Sequence, residues 1–116
     1  MKFDCTTAES SLAADESWRF EQRLEGQDLY AWKKGTSDAE SITVSFWVNT
    51  TKTGTYIVSM YDNDNARSCS QAYTVSSSNT WEYKTVTFPP DTTGAYDNDN
   101  AVSLYLYWGL VLNYFQ

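Results

Sequence analysis

Histidine is absent from this chain of 116 residues, and cysteine, proline and glycine are scarce, with 2, 2 and 5 copies. Without an imidazole, Ser-His-Asp and Cys-His nucleophile pairs and histidine zinc sites are excluded. Basic residues are also few, because 8 Lys and Arg stand against 15 Asp and Glu, a formal net charge of -7. We therefore expect neither nucleic acid nor an anionic membrane surface as a partner.

A Ser-Lys pair and a carboxylate pair are two kinds of catalytic site that need no histidine. No serine and lysine in this sequence have a spacing that marks them as a catalytic pair. A glycosidase requires two carboxylates at a set distance, and the 15 acidic residues form so many pairs that none is indicated. We therefore expect a protein that is not an enzyme, and no residue is assigned a catalytic role.

Long hydrophobic runs are missing as well. No stretch approaches the ~20 apolar residues of a membrane helix, and residues 1–5 lack the apolar core of a secretory signal. In that setting Cys5 and Cys69 are expected to be free thiols, although a single disulfide is permitted.

The residues that are abundant favour strands, since 9 Tyr, 5 Trp and 5 Phe accompany many Thr and Ser. The clearest segment is 41–49, where Ile42, Val44, Phe46 and Val48 alternate with mostly polar residues. A helical turn is predicted at 28–34. Strands are predicted at 18–25, 41–49, 55–60, 67–75, 81–88 and 103–108.

Six short strands separated by turn signals predict an all-β fold, an antiparallel β-sandwich or barrel. The length suits one domain over residues 1–116, with an N-terminal arm at 1–15 and an apolar tail at 109–116. Trp81 and Tyr83 have the opposite parity to Val86 and Phe88. This pattern predicts that a β-bulge or a rim position separates the two pairs, and that Trp81 closes the core.

Three aromatic residues are predicted to project from the polar faces of their strands: Trp47, Tyr105 and Tyr107. Flat rings of this kind stack on sugars, so they are candidates for a glycan-binding platform. The alternative is that a loop, a missing segment or a neighbouring subunit covers them. Both interpretations stay open, with the covered one favoured.

A six-residue sequence, Tyr-Asp-Asn-Asp-Asn-Ala, occurs at 61–66 and again at 96–101. Asn and Asp stabilise tight turns by bonding their own backbone, so two turns are the first interpretation. Their oxygens are also calcium ligands, although neither copy has the full calcium-loop pattern. If the loops meet, a structural calcium ion would be held by Asp62, Asp64, Asp97 and Asp99; no other cofactor is expected.

Several separated motifs occur in register: 21–27, 45–48 and 79–87, with turns at 52–56 and 91–94. Together they resemble carbohydrate-binding-module-like jelly-roll domains of tail and other virion proteins of bacteriophages, many of them marine. The resemblance covers residues 3–107, and each motif alone would be weak.

This resemblance implies a jelly-roll sandwich located in a virion, as a tail-fibre, tail or capsid-decorating component. Other virion chains would be its partners, in a homo- or hetero-oligomer. Carbohydrate binding to host-surface glycans is the alternative function, and in such domains it is itself an analogy from the fold.

The resembling domains usually continue past residue 116 and supply a further closing strand. The apolar tail at 109–116 therefore predicts a jelly roll that lacks or donates a closing strand. An open sheet edge beside such a tail favours pairing with another chain.

Overall fold

The structure is a computed structural model that describes residues 1–11, 13–14 and 16–110. Its six strands are β1 (Arg19–Glu25), β2 (Ile42–Val48), β3 (Gly54–Asp62), β4 (Arg67–Val75), β5 (Glu82–Phe88) and β6 (Val102–Gly109). Two short 3-10 turns, Gly26–Asp28 and Tyr30–Trp32, follow β1, and the second lies in the predicted helical turn. The all-β class is confirmed. In the described part of the chain, no helix is long and apolar enough to cross a membrane.

The strands form two antiparallel sheets. One has four strands in the order β1-β6-β3-β4, and the other pairs β2 with β5. Glu25 pairs with Val102 and Asp62 with Leu104, so β1 and β3 end where β6 begins. The connecting segments 25–42, 62–67 and 88–102 therefore gather at one end of the molecule, which we call the loop end.

Alternating residues of both sheets meet in one hydrophobic core. The ring of Phe46 in β2 lies edge-on to two rings of the larger sheet, at 5.0 Å from Tyr73 and 5.9 Å from Trp108. Val58 and Leu104 are 0% exposed at the centre. The buried core consists of Leu29, Tyr56, Val58, Met60, Tyr73, Val75, Val86, Phe88, Leu104 and Leu106.

Two parts of the β5 prediction, the bulge and the core-closing role of Trp81, are wrong. The register between β2 and β5 runs through seven consecutive pairs without a bulge, and Trp81 is 61% exposed instead of closing the core. Glu82 and Lys84 take the inward positions, where their side chains form a 3.1 Å ion pair. Because that pair satisfies both charges at the open end of the interface, only Val86 and Phe88 of β5 need to be apolar.

The N-terminal arm lies against the start of β1. The ring of Phe3 packs edge-on at 5.7 Å from Trp18 and 6.0 Å from Phe20. At the other end of the chain, β6 extends into the predicted tail as far as Gly109, and Leu110 donates a backbone hydrogen bond to the carbonyl of Trp18. The rest of that tail, 111–116, lies outside the described residues.

Candidate functional site

Trp47 and Tyr83 of the two-stranded sheet are exposed, as is Trp81 immediately before β5, and we call these three residues the outer aromatic face. Trp47 is opposite Tyr83 in the register, and their rings are 5.3 Å apart at an angle of 50°. Trp47, Trp81 and Tyr83 are 64%, 61% and 56% exposed, respectively. Alternation along the strands accounts for this arrangement, because Val44, Phe46 and their neighbours take the inward positions.

Hydroxyl groups continue the outer aromatic face toward the loop end. Thr43 and Thr87 are register partners whose hydroxyl oxygens are 2.9 Å apart, and both residues are exposed. Ser45 and Thr85 form the exposed pair between them and the aromatic rings. The face therefore offers flat apolar rings beside donors and acceptors that water can reach.

Tyr105 and Tyr107 lie on the outer side of the four-stranded sheet. Their rings are 5.8 Å apart and nearly parallel, at 21°. Arg19 covers the Tyr107 ring at 4.0 Å, and Arg23 lies 5.5 Å from the centre of the Tyr105 ring. Glu21 holds Arg23 at 2.6 Å, which fixes the guanidinium over its tyrosine.

The three predicted aromatic residues are thus divided between opposite sides of the molecule. Trp47 is mostly exposed, whereas Tyr105 and Tyr107 are half-buried and make cation–π contacts with β1. A ligand that stacked on the ring faces that Arg19 and Arg23 cover would have to displace those two arginines. The outer aromatic face is therefore the better binding surface.

A cleft of about 480 Å³ opens at the loop end, between the start of β4 and the residues that follow β5. Met60, Phe88 and Leu104 form its apolar floor, each less than a tenth exposed. The other residues that line it are Trp32, Lys34, Glu40, Ile42, Asp62, Arg67, Ser68, Cys69, Pro89, Pro90, Asp91 and Tyr96. The exposed thiol of Cys69 lies here because the smaller sheet does not cover this part of β4.

A buried ion pair forms one wall of the cleft. The ammonium of Lys34 lies 2.6 Å from a carboxylate oxygen of Asp62, and their side chains are 8% and 5% exposed. Lys34 also donates to the carbonyls of Thr93 and Gly94 and lies 5.0 Å from the centre of the Tyr96 ring. All three ammonium protons thus have acceptors, which offsets much of the desolvation cost of burying the charge.

A second ion pair lies beside the first. Arg67 donates two hydrogen bonds to Asp91, at 3.1 and 3.2 Å. Burial opposes ionisation of Asp91, but the backbone N–H of Thr93, the Arg67 guanidinium and the charge of Lys34 outweigh it and lower the pKa of Asp91. Burial and nearby carboxylates raise the pKa of Tyr96 above its usual range, so its phenol is harder to ionise than that of an exposed tyrosine.

The two repeated loops meet at the loop end. The backbone N–H of Asp97 donates to Asp64 at 2.9 Å, and the side chain of Asn65 donates to the carbonyl of Ala95 at 3.0 Å. Asp62 accepts the backbone N–H groups of Asp64 and Asn65, as in an Asx turn. The ordinary turn chemistry of Asn and Asp therefore accounts for the first copy of the repeat.

The four predicted calcium ligands have separate roles here. Asp62 neutralises Lys34, Asp64 accepts from Asp97, and Asp99 accepts the backbone N–H of Ala101. Asp97 contributes its own backbone N–H to the contact with Asp64 and is otherwise exposed. Within residues 1–11, 13–14 and 16–110, no three acidic or cysteine side chains are arranged to hold a metal ion.

Sequence reasoning missed the cleft and its central ion pair. Lys34 lies in a polar stretch after β1, and nothing in its neighbours indicates a buried ammonium. The only signal was the Asp-Asn-Asp-Asn repeat, which predicted a turn at Asp62 but not the cation that this carboxylate binds.

Comparison with known proteins adds no relative. No protein-family model, no curated protein and no solved structure matches the chain.

Proposed function

We propose that this chain is a non-enzymatic structural or accessory domain of a bacteriophage particle, a tail-fibre, tail or capsid-decorating component that assembles with other virion chains. The outer aromatic face carries the proposal, because two tryptophans and a tyrosine more than half exposed leave a large apolar surface in water. Such surfaces mark binding sites, and aromatic residues are enriched at protein interfaces. The assignment to a phage particle rests on the resemblance of the sequence motifs.

We further propose that the two sheets are those of a jelly roll with a place for a closing strand. In the described part of the chain, β2 pairs only with β5, opposite a sheet of four strands. Its four inward residues are all half-buried, whereas Val86 and Phe88 of β5 are buried. A strand added along the free edge of β2 would cover them.

Sedimentation velocity over a range of concentrations tests the assembly function. We expect the protein to self-associate through an interface of roughly 1,000 Å² or more. The double variant Trp47→Ser/Trp81→Ser should remain monomeric. Tyr30→Ser is the matched control, because Tyr30 is 78% exposed but lies in the second 3-10 turn, away from the outer aromatic face. A wild-type protein that stays monomeric at millimolar concentration would contradict self-association.

Glycan binding is the second candidate, favoured by the hydroxyl pairs that border the aromatic rings. Sugar rings would stack on Trp47 and Tyr83 while Ser45 and Thr85 bond their hydroxyl groups. A glycan array tests this function, with Trp47→Ala expected to abolish binding and Tyr107→Ala expected to preserve it. Equal signals from both variants would count against the outer aromatic face as a sugar site.

A further inference from the structure

The loop end carries most of the negative charge of the protein. Nine of the 15 acidic residues lie there, at 25, 28, 38, 40, 62, 64, 91, 97 and 99, but only three of the 8 basic residues, at 33, 34 and 67. The resulting formal charge of -6 nearly equals the -7 of the whole chain. The potential around the cleft is therefore negative, and it attracts cations.

Within the cleft, one carboxylate lacks a close cation. Lys34 and Arg67 neutralise Asp62 and Asp91, and this leaves Glu40. Its side chain is 62% exposed, and its nearest ammonium, that of Lys33, is 4.0 Å away at the limit of an ion pair. The backbone N–H of Glu40 donates to the carbonyl of Trp32 at 2.9 Å, so these two lining residues of the cleft are neighbours in space.

Glu40 and Trp32 together suit a long basic side chain. A cation between them would gain a cation–π contact and an ion pair. Its aliphatic stem would lie on the apolar floor formed by Met60 and Phe88, as basic side chains do on apolar surfaces. One added positive charge would also neutralise the lining of the cleft.

The free edge of β4 indicates that this cation belongs to a polypeptide. β4 pairs with β3 alone among the described strands, and its residues Arg67, Ser68 and Cys69 line the cleft. Apart from the bonds to β3, no backbone–backbone hydrogen bond within the described residues reaches these three. An extended segment could therefore bond this edge by strand addition while it directs a side chain inward.

We propose that the cleft is a docking site for a basic, extended segment of a partner protein, with an Arg or Lys side chain between Trp32 and Glu40 and its backbone along the start of β4. This inference deepens the assembly function and rests on it for the presence of a partner chain. It assigns that chain a surface separate from the outer aromatic face, at the opposite end of β2 and β5.

The test uses two acetylated, amidated peptides of sequence Thr-Val-X-Val-Thr, in which X is arginine or its neutral isostere citrulline. Binding to the full chain is followed by NMR. We expect the arginine peptide to shift the indole N–H of Trp32 and the amides of Ser68 and Cys69. It should bind about tenfold more tightly than the citrulline peptide at low salt, and the difference should shrink as salt is added.

Two variants distinguish a direct contact between Glu40 and the peptide arginine from attraction by the overall negative charge of the loop end. Glu40→Gln should weaken binding of the arginine peptide about two- to fivefold, the range for one exposed ion pair. Asp38→Asn removes the same charge from the loop end at a residue that does not line the cleft, so its effect should be smaller. An arginine peptide N-methylated at all five residue amides should lose affinity, because none of its residues can donate a backbone N–H to the edge of β4.

Equal binding of the arginine and citrulline peptides would overturn the proposal, as would equal effects of Glu40→Gln and Asp38→Asn. An oligosaccharide that shifts the amides of Ser68 and Cys69, when the arginine peptide shifts neither, would also contradict it, because the cleft would then bind sugar instead of a basic segment. The variant Trp47→Ser/Trp81→Ser should bind the arginine peptide normally. Peptide binding is expected even if the protein does not self-associate through the outer aromatic face. The docking proposal and the self-association proposal can therefore fail separately.

Discussion

Lys34 and Asp62 form a buried ion pair with a nitrogen–oxygen distance of 2.6 Å, and less than a tenth of either side chain is exposed. Lys34 comes from the segment after β1, and Asp62 is the last residue of β3. The carbonyls of Thr93 and Gly94 bind the same ammonium and bring in the segment after β5. One side chain thus holds together the three connecting segments of the loop end.

Replacing Lys34 should therefore destabilise the whole protein. Lys34→Met leaves the Asp62 carboxylate buried without a cation, which typically costs about 3–5 kcal/mol. Urea unfolding followed by tryptophan fluorescence measures the change. Lys33→Met is the matched control, because the Lys33 side chain is 53% exposed and its loss should change stability by about 0.5 kcal/mol or less. Adding Asp62→Asn to Lys34→Met should recover part of the loss, since Asn keeps the turn-forming oxygen without the charge.

Local pattern predicted the strands well, because alternation is a property of neighbouring residues. All six predicted strands overlap the observed ones, and β2 differs by a single residue at each end. The role of Trp81 was predicted wrongly because a large aromatic residue usually marks the inward face of a strand. Here the ion-paired side chains of Glu82 and Lys84 occupy the inward positions, and the local sequence pattern does not indicate such a pair.

Gly26 should tolerate no side chain. A Cβ atom at this position would lie 1.8 Å from the carbonyl oxygen of Asp97, a backbone atom that cannot rotate away. We expect Gly26→Ala to cost about 1–3 kcal/mol through overpacking. Gly109→Ala is the control, because the added atom would meet its nearest neighbour, the Ile57 carbonyl, at an ordinary 3.5 Å. Thermal unfolding of both variants checks the prediction, and an equal effect of the two would contradict it.

Ser103 should be replaceable at little cost. Its hydroxyl is buried without a hydrogen-bond partner among the described residues, and the residue is 0% exposed. Leaving a buried polar group unsatisfied is unfavourable, so Ser103→Ala should leave the free energy of unfolding unchanged or raise it by about 1 kcal/mol. A loss of more than about 1 kcal/mol in urea unfolding would show that the hydroxyl has a partner.

Acid should weaken the protein partly through Asp91. The pKa of Asp91 is lowered in the folded state, so its contribution to stability is present above the pKa of the unfolded chain, about 3.9. That contribution is lost as the pH falls through the lower folded pKa. Asp91→Asn should therefore be about 1 kcal/mol less stable than the wild type at pH 7, and the gap should close near pH 2. Melting temperatures across that range measure it, and a gap independent of pH would contradict the prediction.

The cleft could not be predicted from the sequence because its lining residues are far apart along the chain. Its lining comes from five separate stretches of the chain, and Trp32, Cys69 and Pro89 are more than 18 residues apart in sequence. Residues so distant share no period, so only the tertiary structure brings them together. The repeat at 61–66 and 96–101 can be recognised in the sequence, but its two identical copies adopt different local structures. The first copy closes the β3–β4 connection, and the second lies wholly in the segment before β6.

Calcium should leave the stability of the protein unchanged. The two repeated loops do meet, as the calcium hypothesis required, but Asp62 already neutralises Lys34 and Asp64 accepts the backbone N–H of Asp97. A calcium ion would have to compete with the Lys34 ammonium, and a ligand that binds only the folded state raises its stability in proportion to the logarithm of the ligand concentration. We therefore expect the same melting temperature in millimolar calcium and in excess chelator. A rise with calcium that Asp64→Asn abolishes would restore the metal site and require Lys34 to leave Asp62.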